Sequence, residues 1–287
     1  MEQVEKNKII FLHIPKTGGR FLQKFLYHHT KKIRRNYFLS FTGFDDSAHF
    51  NDEHSTKRKH GNKCLIETIH NRPEIVDMYN NSPHFKQSKL LMGHTTYSFG
   101  RLFPEYNFNY VTVIREPIIR TLSNILQFTT SKNGKVYFGR NSDNLIVGTN
   151  KYWDFMYEII KNQYPIKGFM IHENLFLRNI QTRILQGSEF SSYDEILNLD
   201  IAVENSKNIK YSFFDDFNKG LQKSFDFYKI PINMSLNEIA EKGLPKTQEN
   251  KQNKLGMYYG ADKKMVDLIR QLNDIDIKLY NKLKVRY

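Results

Sequence analysis

The run Ile9-Ile10-Phe11-Leu12 is continuously apolar and leads into Pro15-Lys16-Thr17-Gly18-Gly19, after which Phe21, Leu22, Phe25 and Leu26 recur at helical spacing up to His28-His29. An apolar β-forming run without alternation suits a strand buried on both faces, as in a parallel sheet covered by helices. Strand, glycine turn and helix therefore form the unit from which this fold is built. The unit recurs along the chain. Residues 64–69 and 89–92 read as further buried strands, with a helix over 73–79 between them. Tyr110-Val111-Thr112-Val113-Ile114 is the clearest strand after the first. Pro117 then stands at a first helical turn, where a missing N–H costs nothing, and Ile118, Ile119, Leu122, Ile125 and Leu126 share one helical face. The pattern predicts an α/β fold with a central parallel sheet flanked by helices, whose ligands sit at the carboxyl ends of its strands.

The second half reads as mostly helical, over 153–160, 175–185, 193–203, 217–227 and 264–283, with one strand at 209–214. In the last of these helices Met265, Leu268, Leu272, Ile275, Leu279 and Leu283 form one stripe, the mark of core packing. Polar stretches over 37–62 and 131–150 read as surface loops, the second with Asn133-Gly134 as a turn signal. His49, His54 and His60 in the first stretch lack metal-ligand spacing, so no metal is expected there. No internal repeat is present, and the 287 residues are expected to form one domain, with a cofactor-binding core over 8–130 and a mostly helical completion over 131–287.

The glycine turn limits what the chain can bind. The segment is either an ordinary strand-to-helix turn or, since backbone N–H groups, the positive end of a helix and the Lys16 ammonium converge there, a place for phosphate or sulfate. The common nucleotide loop has a glycine, four residues and then Gly-Lys-Ser/Thr, whereas here Lys16 and Thr17 precede the glycines. Arg115 supplies a second signal at the end of its strand, with Ser123 in the helix that follows. A kinase or ATPase usually ends a core strand in an acidic metal ligand. This strand ends in a guanidinium that either offers forked donors to a phosphate or pairs Glu105 or Glu116 on the surface. Two phosphate-directed loops without an evident magnesium site point to a nucleotide whose chemistry needs no metal. The charge agrees with an anionic partner: 43 Lys and Arg against 30 Asp and Glu leave a net +13. A hydrophobic share of 39% excludes a disordered chain. Cys64 is the only cysteine, so no intrachain disulfide forms and a reducing compartment is expected. No apolar run approaches the roughly 18 residues of a membrane span.

Ile14-Pro15-Lys16-Thr17-Gly18-Gly19, and Val113-Ile114-Arg115-Glu116-Pro117 followed by Arg120 and Ser123, resemble the two cofactor motifs of sulfotransferases that use 3′-phosphoadenosine 5′-phosphosulfate (PAPS). The likeness is closest to carbohydrate sulfotransferases of the heparan sulfate 2-O-sulfotransferase type. The segment from Met92-Gly93-His94 to Gly100 is similar to that family's Gly-His segment, and Asn179-Ile180-Gln181-Thr182-Arg183 to its Asn-x-Gln-Thr-Arg helix. The segment from Leu272 to Tyr280, with Asp276, Leu279 and Tyr280, resembles its closing Asp-x-x-Leu-Tyr helix. The resemblance implies a P-loop-like sulfotransferase fold. It also implies that Pro15, Lys16, Thr17, Gly18, Gly19 and Arg20 hold the 5′-phosphosulfate end, with Lys16 neutralising the leaving bridging oxygen. Arg115 and Ser123 would hold the 3′-phosphate, while Lys251 and Lys254 would lie in a basic loop closing over the cofactor. His94 would be the general base of an in-line sulfuryl transfer, a task suited to an imidazole titrating near neutrality.

The chain departs from the family at Arg20, where a Thr or Ser is usual, and at Glu116, where an Asp is usual. The acceptor implied is a carbohydrate or polysaccharide hydroxyl, the product of the donor is 3′-phosphoadenosine 5′-phosphate (PAP), and no metal is required. Animal relatives sit in the Golgi behind an N-terminal anchor, whereas this sequence, which reaches its first strand almost at once, suggests the cytoplasm. Several residues keep two readings. His13 packs beside the loop or touches the cofactor; Arg183 forms a surface ion pair or serves the site; Tyr97, Phe99, Phe103, Tyr106 and Phe108 fill the core or line a sugar site. Competing functions are a kinase using ATP and magnesium, a basic nucleic-acid-binding protein, and an inactive sulfotransferase fold that only binds its ligand. The Lys and Arg are scattered and no nucleic-acid motif is present, so nucleic acid is not expected as a partner.

Overall fold

Among the residues that the computed structural model describes, 4–30, 38–40, 73–129, 145, 149–162, 177–188, 196–232 and 258–287, five strands form one parallel sheet. The strands are β1 (Asn7–Leu12), β2 (Phe38–Ser40), β3 (Leu90–Gly93), β4 (Asn107–Ile114) and β5 (Ile209–Phe213), in the spatial order β2-β3-β1-β4-β5. β1 is central, with Ile10 opposite Leu91 on one side and Tyr110 on the other. The connections after β1 and after β4 lead to opposite edges of the sheet. That reversal falls between β1 and β4, whose carboxyl ends are therefore the usual ligand position in an open parallel sheet.

The helices are α1 (Gly19–Thr30), α2 (Pro73–Asn81), α3 (Pro83–Gln87), α4 (Pro117–Thr129), α5 (Asn150–Lys161), α6 (Ile180–Gln186), α7 (Leu199–Ser206), α8 (Phe217–Phe227), α9 (Lys263–Leu272) and α10 (Asp274–Arg286). Short 3-10 turns cover Tyr97–Leu102 and Phe214–Asp216. Alternate residues of β1 serve opposite layers, as the period of a strand requires. Ile9 and Phe11 pack with Leu22 and Leu26 of α1 and Leu221 and Phe225 of α8. Ile10 and Leu12 pack with Ile184 of α6, Val203 of α7 and Leu279 of α10. A third apolar cluster joins α4, α5 and α9 around Leu122, Trp153 and Ile269. Burying 150 to 250 Å² or so per aromatic ring makes such clusters the main driving force of folding. Near the start of β1, the buried Lys8 donates to the carbonyls of Phe85 (2.6 Å) and Ser88 (2.7 Å), placing its ammonium at the C-terminal end of α3.

The structure differs from the sequence reading at several elements. Residues 38–40, read as part of a loop, form the edge strand β2, aligned with β3 through Phe38 and Leu90. Three residues carry too little pattern to announce a strand, and pairing with β3 supplies what local sequence does not. The single helix read over 264–283 is two, α9 and α10, separated at Asn273 (φ −126°, ψ 28°). The helix read from 175 begins at Ile180, after Asn179 in a left-handed conformation (φ 48°). The one read from 193 begins at Leu199, where the Asn198 side chain accepts from the N–H groups of Asp200 (2.9 Å) and Ile201 (3.1 Å). The strand read at 64–69, the histidines at 49, 54 and 60, the Asn133-Gly134 turn, Lys251 and Lys254 lie outside the described residues. Among the described residues, no helix is long and apolar enough to cross a membrane.

Candidate active site

Past the end of β1, His13 continues the sheet bonding by donating its N–H to the Gly93 carbonyl (2.9 Å). The chain then reverses through Pro15 and Lys16, and the Thr17 hydroxyl ties the turn by donating to the Ile14 carbonyl (2.8 Å). The two glycines are needed for different reasons. Gly18 adopts φ 86°, a left-handed conformation that glycine takes without steric cost. Gly19 opens α1 beneath the His13 imidazole, and a Cβ added there would lie 1.7 Å from His13 Nε2. The first N–H groups of α1 have no acceptor within the helix, and the helix dipole gives this end a partial positive charge. Arg20, the second residue of α1, belongs to this first turn.

Lys16 takes a left-handed backbone (φ 71°) although it is not glycine, and its Nζ donates to Oε1 of Gln127 on α4 (2.9 Å). Ser123, buried, is one helical turn from Gln127 and so lies on the same side of α4. Glu116 caps α4: its Oε2 accepts from Ile119 N–H (2.7 Å) at the start of the helix, where Pro117 is the first helical residue.

Arg115 joins the two loops. Its backbone is bracketed by Gln181, which accepts from Arg115 N–H and donates to its carbonyl, both at 2.9 Å. The guanidinium, on a residue only 3% exposed, donates through Nη1 to the Lys16 carbonyl (2.8 Å) and through Nη2 to the Tyr259 hydroxyl (3.2 Å), and lies 4.3 Å above the centre of the Phe214 ring. The structure thus brings together Pro15, Lys16, Thr17, Gly18, Gly19, Arg115 and the Ser123 face of α4. This is a grouping of backbone donors, an ammonium and a guanidinium, the kinds of group that bind anions.

His94 follows β3. Its Nδ1 donates to the His13 carbonyl (2.9 Å), which fixes the tautomer and leaves the lone pair on Nε2. Its ring stacks on that of His13 with centroids 4.2 Å apart. Burial pushes the His94 pKa down to about 4, against the opposing pull of the His13 carbonyl. A value near neutrality was expected, and the difference comes from enclosure of the ring. The imidazole is consequently neutral at physiological pH, the form able to accept a proton. His13 is wedged between His94 and Gly19, so its side chain packs within the site walls.

Behind Arg115 lies a buried polar network. Asp276 accepts from the N–H groups of Gln181 (3.1 Å) and Thr182 (2.7 Å) and from the Thr182 hydroxyl (2.8 Å), capping α6 from a distant part of the chain. Asn179 donates its N–H to Asn273 Oδ1 (3.1 Å) and accepts from Asp276 N–H (2.9 Å). Arg120 reaches the same Asn273 oxygen (3.5 Å). Burial raises the Asp276 pKa against the attraction of Arg120, and burial lowers that of Arg120 to about 10. Three segments quoted for the family likeness, those around Arg115, Asn179 and Asp276, therefore meet in space. Arg183, read as a surface residue or a site residue, is buried, and its Nε donates to the Arg178 carbonyl (3.4 Å). Phe99 and Phe103 are fully buried in the core beside the sheet, with Tyr97, Tyr106 and Phe108 packed against them. Gln127, Tyr259 and the wedge formed by His13 were not legible as parts of the site. Only Gln181 carried a signal, through its place in the Asn-x-Gln-Thr-Arg segment.

No protein-family model matches the chain, and no curated protein does. The site is accordingly characterised by its geometry.

Proposed function

We propose that the chain transfers the sulfuryl group of PAPS to a hydroxyl of a carbohydrate or polysaccharide acceptor, releasing PAP. The observation that carries this reading is the bond from Arg115 Nη1 to the Lys16 carbonyl, which sets two anion-directed loops side by side at the ends of β4 and β1. In this reading the glycine turn and Lys16 hold the 5′-phosphosulfate end, and Arg115 with Ser123 holds the 3′-phosphate. As the acceptor oxygen forms its bond to sulfur and the bond from sulfur to the bridging oxygen breaks, His94 Nε2 takes the hydroxyl proton and Lys16 meets the charge developing on the leaving phosphate. An anionic donor beside His94 favours the imidazolium, so binding raises the low pKa of the base toward the range where proton transfer is effective. The net charge of +13 supports an acidic polysaccharide as acceptor and the single cysteine supports a reducing cytoplasm.

Calorimetric titration tests the reading. Wild type should bind PAP in preference to ATP with magnesium, and Lys16→Ala should weaken PAP by about tenfold or more, the scale of one charge-assisted contact. A preference for magnesium-ATP would put a kinase in its place.

A further inference from the structure

Four non-glycine residues among those described have a left-handed backbone, and three of them converge on Arg115. Lys16 (φ 71°) and Tyr259 (φ 56°) accept directly from its guanidinium, and Asn179 (φ 48°) opens the helix whose Gln181 brackets its backbone. Lys229 (φ 52°), after α8, is the fourth. Strained conformations of this kind persist only where the surroundings over-determine them, and they gather at functional sites. Tyr259 is held at three points. Its hydroxyl accepts from Arg115 Nη2 (3.2 Å), its carbonyl accepts from Trp153 Nε1 (3.1 Å), and its ring is buried in the cluster of α4, α5 and α9.

A guanidinium recognises phosphate through a rigid plane, so affinity and selectivity depend on how that plane is oriented. Here the orientation is set by the Lys16 carbonyl on Nη1, the Tyr259 hydroxyl on Nη2 and the Phe214 ring against the face. The Tyr259 hydroxyl is the one of these that a conservative substitution removes without altering volume or backbone. We propose that Tyr259 is a positioning residue of the anion site, aiming the Arg115 guanidinium through its hydroxyl and relaying ligand engagement to the Trp153 indole through its carbonyl. The proposal rests on the assignment of Arg115 to the 3′-phosphate, and it adds a selectivity role for a residue outside both anion-directed loops.

Tyr259→Phe tests it, with PAP and adenosine 5′-phosphate titrated by calorimetry and by the emission of Trp153, the only tryptophan of the chain. The variant should weaken PAP by about tenfold and leave adenosine 5′-phosphate unchanged, because only the 3′-phosphate uses the aimed guanidinium. The Trp153 emission change that PAP produces in wild type should be lost or much reduced in the variant. An unchanged PAP affinity, or equal weakening of both nucleotides with a lowered Tm, overturns the proposal in favour of a structural tyrosine. Failure of wild type to bind PAP would instead sink the functional reading, and inorganic pyrophosphate then serves as the probe. Loss of its Trp153 response in Tyr259→Phe supports the positioning role, whereas equal affinity in both proteins, or no binding by wild type, overturns it.

Discussion

A methyl group at Gly19 would collide with the imidazole of His13, and this collision is specific enough to test. Gly19→Ala should lower stability by about 1–3 kcal/mol, the usual cost of overpacking a buried site. Combining it with His13→Ala removes the obstruction, so chemical denaturation of the double variant should show less destabilisation than the two single losses added together. Additive losses would mean that the His13 ring does not hold this position. Residue identity was legible at the turn, because Lys16, Gly18 and Gly19 follow directly on an apolar run and their chemistry is local. The wedge of His13 was not, since it depends on β1 and β3 lying side by side although 80 residues or so separate them, and no local pattern records that pairing. His94 was likewise legible as an imidazole at a strand end, while its low pKa follows from an enclosure that only the folded chain creates.

Among the elements, α6 shows most clearly how the site is held. Its first residue follows a left-handed Asn179 that provides no side-chain cap, and the missing acceptor comes from Asp276 in α10. Asp276→Ala would leave the N–H groups of Gln181 and Thr182 buried without that acceptor. The expected loss is about 2–6 kcal/mol, counting one to three for each deserted N–H, and Asp276→Asn, which keeps acceptor capacity, should lose less. Urea denaturation of the two variants measures the order, and a harmless alanine would show that the cap contributes little. The apolar stripe from Met265 to Leu283 was visible in sequence, yet it concealed the break at Asn273. Asparagine is tolerated in helices, and the break is accompanied by a tertiary bond, from Asn273 Nδ2 to the Leu177 carbonyl (2.8 Å). Likewise β2 needed its neighbour β3 to become a strand.

For the whole molecule, the buried imidazole makes stability depend on pH. His94 has a folded pKa of about 4 against an ordinary value of 6.5, so between these limits the unfolded chain binds more protons at this position. The contribution is complete above pH 6.5 and is withdrawn as the pH falls towards 4, by about 3 kcal/mol in all. His94→Asn, which keeps a donor for the His13 carbonyl and does not titrate, should lack this component. The difference in unfolding free energy between the two proteins should therefore change across that window, and a constant difference would refute the buried assignment. At this scale the sequence revealed a parallel α/β architecture, because uninterrupted apolar strands alternating with amphipathic helices allow little else. Strand order was hidden, since it depends on which edge each crossover reaches. That order also governs how the chain must assemble. β1 is synthesised before the strands it pairs with yet occupies the middle of the sheet, where its partners are Leu90 to Gly93 on one side and Asn107 to Thr112 on the other. Until both have been synthesised, this apolar strand lacks the neighbours that the sheet gives it, and α10, which packs in the layer over it, is made later still. The sheet therefore closes well after its central strand has been made, and in that interval the apolar segment needs protection from aggregation.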